Sequence, residues 1–197
     1  MTNDGVNKTR RRFLVGATSV VGAVGTVGVA IPFVKSWNPS AKAKAAGAPV
    51  KVNIAKVEPG QQVVAEWRGK PVFVVRRTEE SLANIKKMDE RVADPGSNEE
   101  QQPEYAKNEY RSRKPELLVL VGLCTHLGCS PKYHPEVKAM DFDEQWLGGF
   151  HCPCHGSKFD LAGRVYKGVP APLNLEVPPY SFEDENTLII GIDEENA

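Results

Sequence analysis

Twelve residues hold most of the reactive side chains in this sequence. The runs Cys124-Thr125-His126-Leu127-Gly128-Cys129 and Cys152-Pro153-Cys154-His155-Gly156-Ser157 contain all four cysteines and two of the four histidines among 197 residues. Each run has a cysteine, a nearby histidine, a second cysteine and a glycine. Thiolates and imidazoles are ligands for soft and borderline metals, so two thiolates and two imidazoles make a four-ligand site. Gly128 and Gly156 permit the positive φ that a tight loop needs. The residue types alone leave the occupant open. A structural zinc held by two cysteines and two histidines is one reading, although zinc ribbons use four cysteines or a longer spacing. A set of disulfides is another, and it leaves both histidines without a task.

The elements that position these runs read mostly as strands. Residues 116–123 (ELLVLVGL) form an apolar, β-branched run that leads straight into Cys124. Residues 51–57 alternate polar and apolar as a half-buried strand does. Residues 63–68 and 71–76 form a strand pair around a Gly69-Lys70 turn, and 187–192 is a last strand. Thr78 caps a helix over 79–92, whose Leu82, Ile85, Met88 and Val92 fall on one face. Residues 94–114 are polar and contain Pro95-Gly96, which predicts a long surface loop. One helix among many short strands predicts a mainly β antiparallel sandwich or barrel.

The charge is unevenly placed. The chain has 25 basic and 25 acidic residues, a balance that argues against a nucleic-acid binder. Its mean hydropathy of -0.37 excludes a polytopic membrane protein but not a single span. Residues 1–12 carry a net +3, residues 13–34 no charge, residues 35–44 another +3, and the remainder -6. The uncharged segment, FLVGATSVVGAVGTVGVAIPFV, is long enough as a helix, at about 33 Å, to cross a hydrocarbon core of about 30 Å. A cleaved signal peptide has a shorter apolar stretch and a nearby small-x-small site, so 13–34 is read as a retained transmembrane helix. Thr9-Arg10-Arg11-Arg12-Phe13-Leu14 resembles the twin-arginine export signal, whose route carries folded, cofactor-loaded cargo. That places residues 1–12 in the cytoplasm and the globule in the periplasm, as a single-pass protein of a bacterial inner membrane. Residues 35–49, rich in Ala, Pro, Gly and Ser from 38 onward, read as a flexible tether.

In order and with their flanking residues, the two runs resemble the Rieske family, C-x-H-x-x-C followed by C-P-C-H-G-S. The anchor, tether and β globule extend the resemblance over nearly the whole chain, to the iron–sulfur subunits of cytochrome bc1 complexes (ubiquinol–cytochrome c reductases). This implies an antiparallel β-sandwich Rieske domain over 50–197, with a small cluster-binding subdomain at about 122–172, and one [2Fe–2S] cluster. Cys124 and Cys152 would bind one iron and His126 and His155 the other, with Cys129 and Cys154 in a disulfide. Ser157 would donate its hydroxyl to a cluster sulfide. Phe159 stands where the family often has a tyrosine that serves a cysteine sulfur, which implies a lower potential than in tyrosine-bearing relatives. Gly168-Val169-Pro170-Ala171-Pro172 looks like the proline loop that covers the cluster. His134 and His151 match no ligand position.

The resemblance also implies a role and partners. Imidazoles in place of two thiolates make the cluster less negative, and potentials rise from roughly -400 mV to between about -150 and +300 mV. Quinol bound in cytochrome b would hydrogen-bond to His155, an electron and a proton would be taken up together, and the head would swing on its tether to reduce cytochrome c1. The chain would be the oxidoreductase subunit of a dimeric complex that contributes to proton translocation, with ubiquinol, the membrane, cytochrome b and cytochrome c1 as partners and no nucleic acid. The alternative is a Rieske subunit of another periplasmic oxidoreductase such as arsenite oxidase. A soluble Rieske ferredoxin is a third reading, and the anchor and the extra cysteine pair count against it.

Overall fold

In the computed structural model, which describes residue 5 and residues 7–193, the chain divides into two compact units between Ala45 and Ala46. The first is dominated by helix α1 (Lys8–Ser36), with no residue buried inside the chain. Asn7 caps it, its Oδ1 accepting the N–H groups of Thr9 and Arg10 at 3.1 Å. Val21, Val24 and Phe33 are exposed on different sides, and a helix apolar all round calls for an apolar surrounding rather than water. Pro32 lies inside the helix, a feature that membrane helices tolerate. Trp37 follows the last turn beside Lys35 and is 84% exposed, a position suited to a membrane–water boundary. Of the basic segment 1–12, residues 1–4 and 6 lie outside the described residues.

The segment read as a tether is not free of secondary structure. Helix α1 continues to Ser36, and residues Ala41–Ala46 (AKAKAA) form a second helix, α2. Alanine is the best helix former, a preference hidden when small residues are read together as linker composition.

The second unit contains the strands β1 (Val50–Asn53), β2 (Gln62–Trp67), β3 (Lys70–Arg76), β4 (Leu117–Val121), β5 (Lys132–Val137), β6 (Leu147–His151), β7 (Lys158–Phe159), β8 (Tyr180–Phe182) and β9 (Thr187–Ile190). They form three antiparallel three-stranded sheets, ordered β1-β9-β8, β2-β3-β4 and β5-β6-β7. One apolar core joins all three. It includes Val72 to Val75 of β3, Leu117 to Leu120 of β4, Leu188 and Ile190 of β9, and Phe150 and Phe159 of the third sheet. All five residues of β4 are buried, which explains its unbroken apolar run. The fold is thus mainly β and antiparallel, with one long apolar helix ahead of it.

Several element bounds differ from the sequence reading. The first strand stops at Asn53, whose side chain accepts the N–H of Ala55 and turns the chain. The hairpin turn is Arg68-Gly69, both with positive φ, rather than Gly69-Lys70. The next helix, α3, runs over Glu79–Lys87 with Thr78 as its cap and ends at Met88, and Val92 instead bridges to Tyr166. The strand entering the first cysteine run ends at Val121, and the last strand ends at Ile190.

The largest correction concerns 94–114, which runs along the surface as expected but is not solvated throughout. Ser97, Ala106, Arg111 and Ser112 in it are buried. Arg111 donates to the carbonyls of Ala162, Gly163 and Leu175 and to Oε1 of Gln102. Arg77 reaches the same region, donating to the carbonyls of Pro115, Tyr110 and Leu161 and to Oγ of Ser112. Burial pulls both guanidiniums down to about 10, so they remain cations at neutral pH. Arg164 is ion-paired with Asp160 and Asp89 at 2.7 Å. Arg77 and Arg111 therefore satisfy the carbonyls of Leu161, Ala162 and Gly163, and Arg164 the Asp160 carboxylate, in a turn that would otherwise bury bare acceptors.

Asp143 ties the connection between β5 and β6 to the rest of the head, pairing with Arg91 at 2.6 Å and Lys158 at 3.0 Å. Burial raises its carboxyl pKa, but the Lys158 ammonium, the Gln145 N–H and Arg91 outweigh that and hold it below the usual carboxylate range. A folded value below the unfolded one of about 3.9 gives stability that is present above that pH and lost as pH falls through the folded value. Asp143→Asn is expected to lower stability at neutral pH and to flatten its fall below about pH 4. Denaturant midpoints measured across that range check this, and an unchanged acid limb would refute it.

Candidate metal centre

The two cysteine runs have the same backbone frame. In the first, which leaves β4 through Gly122, the N–H of Cys124 donates to the carbonyl of Cys129 and that of Gly128 to Cys124. In the second, between β6 and β7, the N–H of Cys152 donates to the carbonyl of Ser157 and that of Gly156 to Cys152. Gly128 and Gly156 have φ of 81° and 76°, a conformation that other residues enter at a cost. Each run is thus a closed loop with its first cysteine at the base and its histidine near the tip.

A disulfide between Cys129 and Cys154 joins the loops. The Cys152 sulfur lies within 4.8 Å of both disulfide sulfurs, but those are already committed to each other. That leaves Cys124 and Cys152 as free thiols, 3% and 2% exposed. Burial pushes the Cys152 thiol up, and the adjacent Cys124 sulfur adds to this. The rings of His126 and His155 stand edge to face, 4.7 Å between centroids. Nδ1 of His126 is buried without a hydrogen-bond partner, which suits a metal-ligating atom. Two adjacent thiols, two adjacent imidazoles and an orphaned ring nitrogen fit a mixed cysteine–histidine iron–sulfur centre.

A third segment covers the loops. Oγ of Ser157, fully buried, accepts the N–H of Ala171 at 3.0 Å. Thr125 donates its hydroxyl to the carbonyl of Leu173 at 2.6 Å. Each loop therefore grips the Gly168-to-Pro172 stretch or its end through one hydroxyl. Thr125, Asn174 and Arg111 were not singled out from sequence. Asn174 is buried, and its Oδ1 accepts the N–H of Val165. A polar residue next to an apolar proline-rich run is the only local signal for it. His134 and His151 lie away from the paired rings, on the β5–β6 sheet, where His151 stacks on Phe142 at 3.9 Å.

A three-sheet antiparallel head with paired cysteine–histidine loops, behind a membrane-spanning helix, defines an anchored iron–sulfur electron carrier of the Rieske class. The profile described as "Rieske [2Fe-2S] domain" matches residues 100–179, and that described as "Ubiquitinol-cytochrome C reductase Fe-S subunit TAT signal" matches residues 1–40. The ubiquinol-cytochrome c reductase iron-sulfur subunit of Allochromatium vinosum is 56% identical over the full chain and 95% of that protein. That of Rhodospirillum rubrum is 43% identical over 95% of this chain and 94% of the relative. A solved structure titled "Hyperthermophilic respiratory Complex III" is similar at a TM-score of 0.49 and 28% identity, covering 87% of this chain and 96% of that one. The chain belongs to the family of ubiquinol–cytochrome c reductase iron–sulfur subunits. It is a membrane-anchored electron-transfer subunit of the bc1 type, with a Rieske [2Fe–2S] domain.

Proposed function

We propose that Cys124 and Cys152 hold one iron of the cluster and His126 and His155 the other, and that the subunit carries single electrons from ubiquinol in cytochrome b to cytochrome c1. The matched loops, with two buried thiols beneath two adjacent imidazoles, carry this reading. When bound, such a cluster accepts one electron at a potential set by its ligands and by hydrogen bonds to its sulfurs. His155 is exposed at the loop tip while His126 is half-buried, so His155 is the ring that offers a nitrogen to a quinol hydroxyl and holds the proton that leaves it. The disulfide fixes the spacing of the loops, and Ser157 and Thr125 hold the covering segment against them.

The globule is assigned to the periplasmic side of a bacterial inner membrane and the basic start of α1 to the cytoplasm, within a dimeric complex. The domain reading is 1–12 cytoplasmic, 13–34 spanning, 35–49 tether and 50–197 head, with the cluster-binding part at about 122–172. A helix of six residues such as α2 is too short to be stable alone. Unwinding it would lengthen the tether from about 9 Å to about 20 Å over those residues, which suits a head that moves between donor and acceptor.

Low-temperature EPR of the intact ascorbate-reduced protein tests the assignment. A rhombic signal with average g below 2, lost on His155→Ala, is expected. A signal seen only with dithionite would point to a low-potential carrier and count against ubiquinol oxidation. Phe159 is fully buried in the core cluster that contains Cys124 and Cys152. A tyrosine there, the residue the family often has at this position, would offer a hydroxyl to a cysteine sulfur and favour the more negative reduced state. Phe159→Tyr is expected to raise the potential by roughly 40 mV, the equivalent of about 1 kcal/mol of extra hydrogen bonding. Protein-film voltammetry checks this, and an unchanged or lower value would refute it.

A further inference from the structure

The first turns of α1 carry more positive charge than the export signal requires. The pattern Thr9-Arg10-Arg11-x-Phe13-Leu14 uses Arg10 and Arg11, and leaves Lys8 and Arg12, at the unspecified position, without a part in it. At 3.6 residues per turn, Lys8, Arg11 and Arg12 fall on one side of the helix, and Arg10 projects from the opposite side. The three cations line a groove whose other walls are Val15 and Gly16. A Cβ at Gly16 would meet nothing within 4 Å, so the groove stays open where the apolar run begins. No acidic residue stands between Gly5 and Val57 in the sequence, and among the described residues no carboxylate pairs with these three. The first N–H groups of the helix are taken by Asn7, so the side chains rather than the backbone carry the attraction.

We propose that Lys8, Arg11 and Arg12 seat the phosphate headgroup of an anionic phospholipid, with its glycerol and upper acyl chain against Val15 and Gly16. The position favours a lipid over a dissolved anion. The cations border the first apolar turn, at the depth of headgroups, and the floor of the groove is hydrocarbon and backbone. Basic residues beside a span each strengthen attraction to anionic lipid by about five-fold. The signal segment thus keeps a task in the finished protein.

Native mass spectrometry of the full chain, purified with its cluster in detergent, tests this by titration with short-chain phosphatidylglycerol and phosphatidylcholine. Lys8→Gln with Arg12→Gln keeps Arg10-Arg11 for export. It is expected to weaken phosphatidylglycerol binding about 25-fold, from two cations, and to leave phosphatidylcholine binding unchanged. Lys35→Gln with Lys44→Gln removes the same charge elsewhere and is expected to change neither. The proposal is overturned if the wild type shows no preference, if both double variants lose it equally, or if inorganic phosphate displaces the lipid as well as phosphatidylglycerol does. Cluster absorption, followed in every variant, reports the electron-transfer reading separately.

Discussion

Gly149→Ala is expected to unfold the cluster-binding half of the head. A Cβ at Gly149 would lie 2.1 Å from the carbonyl oxygen of Phe159 and 3.0 Å from Cα of Asp160. Both neighbours are backbone, so no side chain can swing away. Relief requires β7 to leave β6, which breaks the pairing of Phe150 with Phe159 and of His151 with Lys158. That strand begins directly after Ser157, so the second cysteine–histidine loop loses its return path. A loss of more than about 4 kcal/mol is expected, among the largest seen for single substitutions, with little cluster retained. Gly168→Ala is the comparison. Its φ of 72° also favours glycine, but an added Cβ there meets nothing within 4 Å, so only the left-handed backbone cost of about 1–2 kcal/mol applies. Chemical denaturation of both variants, with visible absorption for cluster content, separates close approach from backbone conformation. Equal losses would refute the steric account.

Arg111→Met is expected to cost about 3–5 kcal/mol. Methionine fills much of the volume but donates nothing, so the carbonyls of Ala162 and Leu175 and Oε1 of Gln102 lose their partner. Each buried acceptor left bare costs about 1–3 kcal/mol. The Gly163 carbonyl suffers least, because it also accepts the N–H of Leu175 at 2.8 Å. Part of the loss is returned because a buried guanidinium no longer has to be desolvated. The urea midpoint should fall with an unchanged slope. Arg91→Met, which removes a partly exposed partner of Asp143, should cost far less, since Lys158 still pairs with that carboxylate. A midpoint for Arg111→Met as high as that of Arg91→Met would show that the buried network contributes no stability.

The contrast between the ligand loops and the 94–114 segment shows what a sequence can reveal here. The loops were legible because a tight ligating turn restricts residue types locally: cysteine, histidine and glycine must fall at fixed offsets. Thr78 was legible for the same reason, since a helix cap is satisfied within three residues, and the N–H of Ser81 does donate to it. Arg111 had no such signal. Its carbonyl partners lie about fifty to sixty residues away, and it is buried because of those carbonyls, not because of its own type. Composition read a charged, polar stretch as surface. In this fold the stretch supplies donors to the interior, a role decided by tertiary topology. The strand ends moved by a residue or more for a milder reason: the hairpin turn holds Arg68 at positive φ, a conformation its residue type does not advertise, and the first strand ends where the Asn53 side chain caps the Ala55 N–H.

The shared frame closes the backbone turn of each cysteine–histidine loop from within. Its hydrogen bonds run from cysteine to the fifth residue onward and from glycine back to that cysteine, and none involves the histidine side chain. Each turn is therefore closed by its own backbone, whatever side chain stands at the histidine position. A designer could exchange the histidine of either loop for another side chain without redrawing the turn that presents it.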